Sequence, residues 1–169
     1  MLLVVAFHAF PHAIISGLAA IPDDKYIENI KKRVDFLEKN KIKVIVFKPH
    51  IQLNYDIRNC FSRPFNTKPL SSCELDLVIY KKSLQRFELL VQSLKKSNPS
   101  VAFFDPNPLF CDSQKCSMIR KGIPLLRDEH NHLPEYGSIE LAKIFEKWAQ
   151  QNIPEIAINR RYDELKSIG

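Results

Sequence analysis

The spacing of apolar residues changes several times along the chain, and each change marks an element. Residues 2–7 form a short unbroken apolar run that predicts a central strand of a sheet. Asp23 or Asp24 then caps a helix running to about Asn40, with Tyr26, Ile27, Ile30, Val34 and Leu37 on one face. Lys41 opens a second strand whose buried run is Val44, Ile45, Val46 and Phe47, ended by Pro49. An irregular loop spans 49–72, with Pro64 and Pro69 inside it, and a loop of that length in a small domain is usually functional or stapled. A second helix is predicted over 74–96, with Leu77, Tyr80, Leu84, Phe87, Leu90, Val91 and Leu94 as its stripe, stopped by Ser97-Asn98-Pro99. A third strand at 101–104 leads into Asp105-Pro106-Asn107-Pro108, and 123–126 is a short extended segment. A last helix covers 134 to about 151, with Ile139, Leu141, Ile144, Phe145 and Trp148 inward.

Strands alternating with helices predict an α/β sandwich around a parallel sheet, with ligands bound beyond the carboxyl ends of the strands. The loops after Phe7, Phe47, Phe104 and Leu126 form that rim. No internal repeat or interdomain linker interrupts the pattern, so residues 1–150 read as one domain and 151–169 as a C-terminal tail.

Composition adds limits. With 45% apolar and 26% charged residues in 169, the chain has the makeup of a globular domain and contains no apolar stretch long enough to span a membrane. The net charge of +6 comes from short pairs such as Lys81-Lys82 and Arg160-Arg161, without the cation-and-aromatic stripe of a nucleic-acid binder, so no nucleic acid is expected as partner.

The four cysteines fall as two local pairs, Cys60 with Cys73 and Cys111 with Cys116. Neither has the tight C-x2-C spacing of a zinc knuckle. Even number, loop context and proximity favour two disulfides over four free thiols, and hence an oxidising compartment such as a periplasm. Closing the 60–73 loop stabilises by about 3 kcal/mol in the chain-entropy model. The first twenty residues carry no cationic start and include His8, Pro11 and His12, so they offer no convincing secretory signal.

The densest chemistry is Arg127-Asp128-Glu129-His130-Asn131-His132-Leu133-Pro134, ahead of the last helix. Three readings compete: Asp128, His130 and His132 around a metal, a nuclease-like His-Asn-His string, and a carboxylate–imidazole pair in which the carboxylate sets the tautomer and the ring takes a proton.

The order of segments narrows this. Residues 101–104 are followed by Asp105-Pro106, Cys111 and Cys116, Gly122, Asp128 with His132-Leu133, and Gly137-Ser138 opening a helix; upstream stand 44–47, Pro49, Cys60 and Cys73. This succession, over about residues 1–150, resembles the SGNH domain attached to membrane-bound acyltransferase-3 proteins, which O-acetylate cell-surface polysaccharides. The resemblance implies a three-layer α/β sandwich of the SGNH/flavodoxin-like kind and a Ser–His–Asp type of site, with no metal, nucleotide or other cofactor. His132 corresponds to the general base and Asp128 to its orienter. The family's spacing is Asp-x-x-His, whereas Asp128 and His132 are four apart, so either one residue is inserted, or Glu129 supplies the carboxylate, or His130 takes the histidine's place.

The family's Gly-Asp-Ser nucleophile is absent. Asp112-Ser113 lies inside a cysteine loop, and Ser16-Gly17 follows a possible helix start. The expectation is therefore an N-terminally incomplete SGNH domain, without its nucleophile strand and membrane helices, weakly active or inactive and poorly stable alone. Its partners would be an acyl donor or cell-surface polysaccharide and a membrane acyltransferase domain, and its place extracytoplasmic. The alternative is a non-catalytic, disulfide-stapled module that binds carbohydrate or protein through the 49–72 loop, with both histidines facing solvent.

Overall fold

Val44, Ile45 and Val46 are β-branched and all buried, which suits a strand covered on both faces. They lie at the centre of a four-stranded sheet in a computed structural model that describes residues 3–6, 12–19, 22–62 and 73–156. The strands in order across the sheet are β1 (Leu3–Ala6), β2 (His12–Ser16), β3 (Lys43–Phe47) and β5 (Ala102–Phe104). β2, β3 and β5 run parallel, with Ile14 opposite Ile45 and Ile45 opposite Ala102. β4 (Glu74–Asp76) pairs with β6 (Lys115–Ser117). β7 (Ile119–Arg120) and β8 (Ile123–Pro124) form a tight hairpin turned at Lys121 and Gly122, both with positive φ.

Alternation along the strands sorts the core into two layers. Ala13, Ile15, Val44 and Val46 face α1 (Asp24–Lys39) and α3 (Gln85–Ser97), which contribute Ile30, Val34, Phe87, Leu90 and Leu94. Ile45, Phe47 and Phe104 face α4 (Glu135–Asn152), where Phe145 and Trp148 close over them, with ring centroids 5.1 and 5.3 Å from Phe104. Helices on both faces of a parallel sheet make the predicted three-layer α/β sandwich. Asp23 caps α1 by accepting from the Tyr26 N–H at 2.7 Å. Packing continues past residue 150, since Ile153 is buried and Glu155 pairs with Lys43.

Four expectations are corrected. The run 2–7 is not a central strand: its described part, β1, is the sheet's edge and runs antiparallel to β2. The possible helix start ahead of Ser16-Gly17 is instead strand β2, whose apolar run Pro11 and Gly17 confine to three residues; its last residue is Ser16, so that serine ends a strand. The predicted helix over 74–96 is three elements, β4, α2 (Leu77–Ser83) and α3, because Leu75 pairs with Cys116 and the Asp76 carboxylate caps a new helix start at Val78 N (2.6 Å). Leu84 (φ −94°, ψ 0°) then separates α2 from α3. Ile139 lies outward, 48% exposed, while Leu141, Ile144, Phe145 and Trp148 pack inward. Segment 63–72, with Pro64 and Pro69, and the tail from 157 lie outside the described residues, as do Leu2 and Phe7.

His12 is 2% exposed, and neither ring nitrogen has a hydrogen-bond partner among the described residues. Glu155 Oε1 lies 3.6 Å from its Nε2, shared with Lys43, the residue paired with His12 across the strands. Burial pushes the His12 pKa below its ordinary 6.5, and the attraction of Glu155 opposes this more weakly. A group with a depressed folded pKa contributes stability above its unfolded pKa and loses it as pH falls toward the folded one. Urea unfolding is expected to show a lower midpoint at pH 5.5 than at pH 7.5, and His12→Leu should reduce that difference. Equal midpoints in the parent chain would contradict the account.

Candidate active site

Beyond Phe47 no strand among the described residues continues beside the chain, so its main-chain groups need other partners. Lys48 N still donates to Phe104 O at 2.9 Å, and the segment 49–53 then crosses the carboxyl end of the sheet. Two asparagines, themselves buried, take the place of a strand beside it. Asn107, after β5, accepts from Ile51 N (2.9 Å) through Oδ1 and donates to Pro49 O (3.0 Å) through Nδ2. Asp105 holds Asn107 in turn, accepting from its main-chain N and from Nδ2. Asn131 accepts from Leu53 N (2.7 Å) and donates to Leu53 O (3.1 Å). Its φ of 61° is left-handed, a region asparagine tolerates better than most residues.

The loop carrying Asn131 is wound around Asp128. Asp128 Oδ1 accepts from His130 N (3.1 Å) and His132 N (3.2 Å), and Arg127 N donates to His132 O (2.7 Å). Asp128 Oδ2 accepts from Arg127 Nε (3.2 Å) and lies 2.9 Å from His132 Nδ1. A carboxylate only accepts, so Nδ1 carries the hydrogen and Nε2 of the neutral ring holds the lone pair. The His132 hydrogen bond, with help from main-chain N–H groups and Arg127, holds the Asp128 carboxyl well below the usual carboxylate range. The His132 side chain is 57% exposed and Asp128 23%, so the imidazole is open to solvent while the carboxylate beside it is sheltered.

The structure brings Asp128 and His132 together across their four-residue separation. A turn closed by the Asn131 N–H on Asp128 O (3.0 Å) and the left-handed Asn131 fold the intervening residues back. Glu129 points elsewhere, 3.8 Å from the Arg58 guanidinium and 3.9 Å from His130 Nε2. The His130 ring is exposed and lies edge-on to His132, centroids 5.8 Å apart. Among the described residues no three His, Cys, Asp or Glu side chains converge as a metal would require.

Both cysteine pairs form disulfides, Cys60–Cys73 and Cys111–Cys116. With Ile51, Phe110, Met118, Leu125 and Leu126 they build a second apolar core beneath the loops. α4 begins close against it: a Cβ on Gly137 would sit 2.8 Å from Leu125 O, so only glycine fits. A cleft of about 460 Å³ lies between 50–54 and α2, bordered by His50, Asn54, Leu75, Ile79 and Tyr80.

Sequence reasoning overlooked Asn107, Asn131 and His50. Asn107 sits in a Pro-flanked loop and Asn131 within a His-Asn-His string, where they read as ordinary turn residues.

A family model described as "SGNH domain (fused to AT3 domains)" matches residues 4–147. The chain belongs to this SGNH-domain family. No curated protein matches it, and no solved structure does. The matched stretch of the SGNH domain contains both disulfides, the asparagine clamps and the Asp128–His132 loop. Membership makes it a hydrolase- or acyltransferase-type domain, and the fusion accords with attachment to a membrane acyltransferase domain and an extracytoplasmic place. Two disulfides fit an oxidising compartment. No helix among the described residues is long and apolar enough to cross a membrane.

Asn131→Ala removes the clamp on Leu53 and places a Cβ-bearing residue without local hydrogen bonds at positive φ, which is expected to cost about 2–3 kcal/mol. Asn131→Gly keeps the backbone and loses only the clamp, so it should cost less. Urea unfolding of both checks this, and a loss below about 0.5 kcal/mol for Asn131→Ala would contradict the clamp.

Proposed function

We propose that His132 is the general base and Asp128 its orienter in an acyl transfer that moves an acetyl group to a hydroxyl of cell-surface polysaccharide, or to water. The observation that carries this reading is the His132 Nδ1 to Asp128 Oδ2 contact of 2.9 Å, with Nε2 left for a substrate-side proton. Because the 169 residues hold no Gly-Asp-Ser, the nucleophile on this reading is a serine supplied from outside them.

The steps balance. The serine Oγ–H gives its proton to His132 Nε2 as Oγ bonds to the acyl carbon, and the imidazolium passes that proton to the donor's leaving group. In the second half the sugar hydroxyl gives its proton to Nε2, its oxygen takes the acyl group, and the proton returns to the serine. Asp128 stays ionised throughout, as its depressed pKa requires, and stabilises the imidazolium. Without the serine there is no covalent step, and the pair alone can only assist water weakly. The 2.9 Å Asp128 contact is what supports this reading over a binding module, since solvent exposure of both histidine rings is common to the two.

The test compares hydrolysis of an aryl acetate, and acetyl transfer to polysaccharide, by the chain alone and by the chain co-expressed with a segment bearing a strand and Gly-Asp-Ser. The chain alone should run near the buffer rate, and co-expression should raise it by at least about a hundredfold. His132→Ala and Asp128→Asn should remove most of that gain, on the order of 100- to 10,000-fold. Full activity of the chain alone that vanishes in Ser16→Ala, or a gain that survives His132→Ala, would overturn the reading.

A further inference from the structure

We propose that His50 is the positioning residue of the Asp128–His132 pair: its Nε2–H grips the main-chain carbonyl of Asn131 and so fixes the peptide unit that carries His132. The inference rests on reading that pair as base and orienter, but its test needs no activity.

The peptide joining Asn131 to His132 is a rigid plane with one acceptor and one donor. Its oxygen lies 3.0 Å from His50 Nε2, and its N–H donates to Asp128 Oδ1 at 3.2 Å. Turning that plane breaks both bonds, and its orientation sets the direction in which the His132 side chain leaves the backbone. A carbonyl cannot donate, so His50 is held as the Nε2–H tautomer.

His50 is well placed to anchor something else, since it is itself clamped on both sides. The carbonyl before it, Pro49 O, accepts from Asn107 Nδ2 and from Tyr80 Oη (3.4 Å), and the N–H after it, on Ile51, donates to Asn107 Oδ1. The imidazole lies nearly parallel to Phe110 (centroids 6.0 Å apart, 22° between planes), whose neighbour Cys111 is tied to Cys116. Burial pushes the His50 pKa down, so the ring stays neutral beside a histidine that must gain a proton. Nothing in the Asp128–His132 contact itself requires this second histidine, and its disulfide-backed support on the far side of the Asn131 peptide makes it a brace.

The test is 15N-resolved histidine and amide NMR on the full chain at neutral pH, with two variants. His50→Gln keeps an N–H donor, whereas His50→Phe keeps a ring on Phe110 and removes the donor. In the parent, His50 should be the neutral Nε2–H tautomer with a solvent-protected proton, and His132 the Nδ1–H tautomer. His50→Phe should keep the sheet amides but speed exchange of the His132 amide by about tenfold and mix the His132 tautomers; His50→Gln should restore the parent pattern. An unchanged His132 in His50→Phe, or equal disruption by both variants, would overturn the proposal. If His50→Phe does not fold, the parent spectrum decides, and an Nδ1–H tautomer or a freely exchanging Nε2 proton on His50 would overturn it. Failure of the functional reading would show separately, as acyl transfer that does not need His132 while His50 still governs its tautomer.

Discussion

Two asparagine side chains stand where a neighbouring strand would be, and the rest of the carboxyl end of this sheet depends on them. Residues 49–53 leave β3 with unpaired N–H and C=O groups in a part of the molecule that is buried. Asn107 takes up Pro49 O and Ile51 N, and Asn131 takes up Leu53 N and O. A carboxamide carries the same donor and acceptor as a peptide, so each can replace one rung of a ladder. Each such group left bare would cost on the order of 1–3 kcal/mol, which makes the two clamps worth more than any exposed ion pair of the domain.

The clamps tie the chemistry to the fold. Asn107 comes from the loop after β5 and Asn131 from the loop before α4, so the segment between them is sewn to both neighbours. The same Asn131 that satisfies Leu53 turns the chain left-handed, and that turn brings Asp128 within 2.9 Å of His132. A carboxylate–imidazole pair built this way is set by main-chain geometry rather than by side chains packing on one another. The disulfides make their contribution one layer down, closing the apolar core on which His50 and its segment rest.

Much of this was legible in the sequence. The α1 helix announces itself by the Asp23 cap and the buried Ile30, Val34 and Leu37; β3 by its β-branched run; the disulfides by cysteine proximity. These are short-range signals. The misplaced elements depend on partners far away in the chain. β1 and β2 are both apolar, and only pairing decides that one is an antiparallel edge and the other lies inside the sheet. Glu74–Asp76 has a helical pattern, yet a partner strand some forty residues on claims it. Asp128 and His132 were visible as candidates by residue type, whereas Asn107, Asn131 and His50 were not, because a clamp or a brace has no composition of its own and is defined by what lies opposite.

The central claim, that clamped loops hold an Asp–His pair at the carboxyl end of the sheet, is tested most directly by an experimental structure of the chain with both disulfides intact. The account predicts His132 Nδ1 within about 3.2 Å of an Asp128 carboxylate oxygen, with Asn131 at positive φ and bonded to Leu53. A His132 ring turned to solvent, more than about 4 Å from Asp128 while Asn131 remains on Leu53, would contradict it, since the clamps would then hold the loop without making the pair.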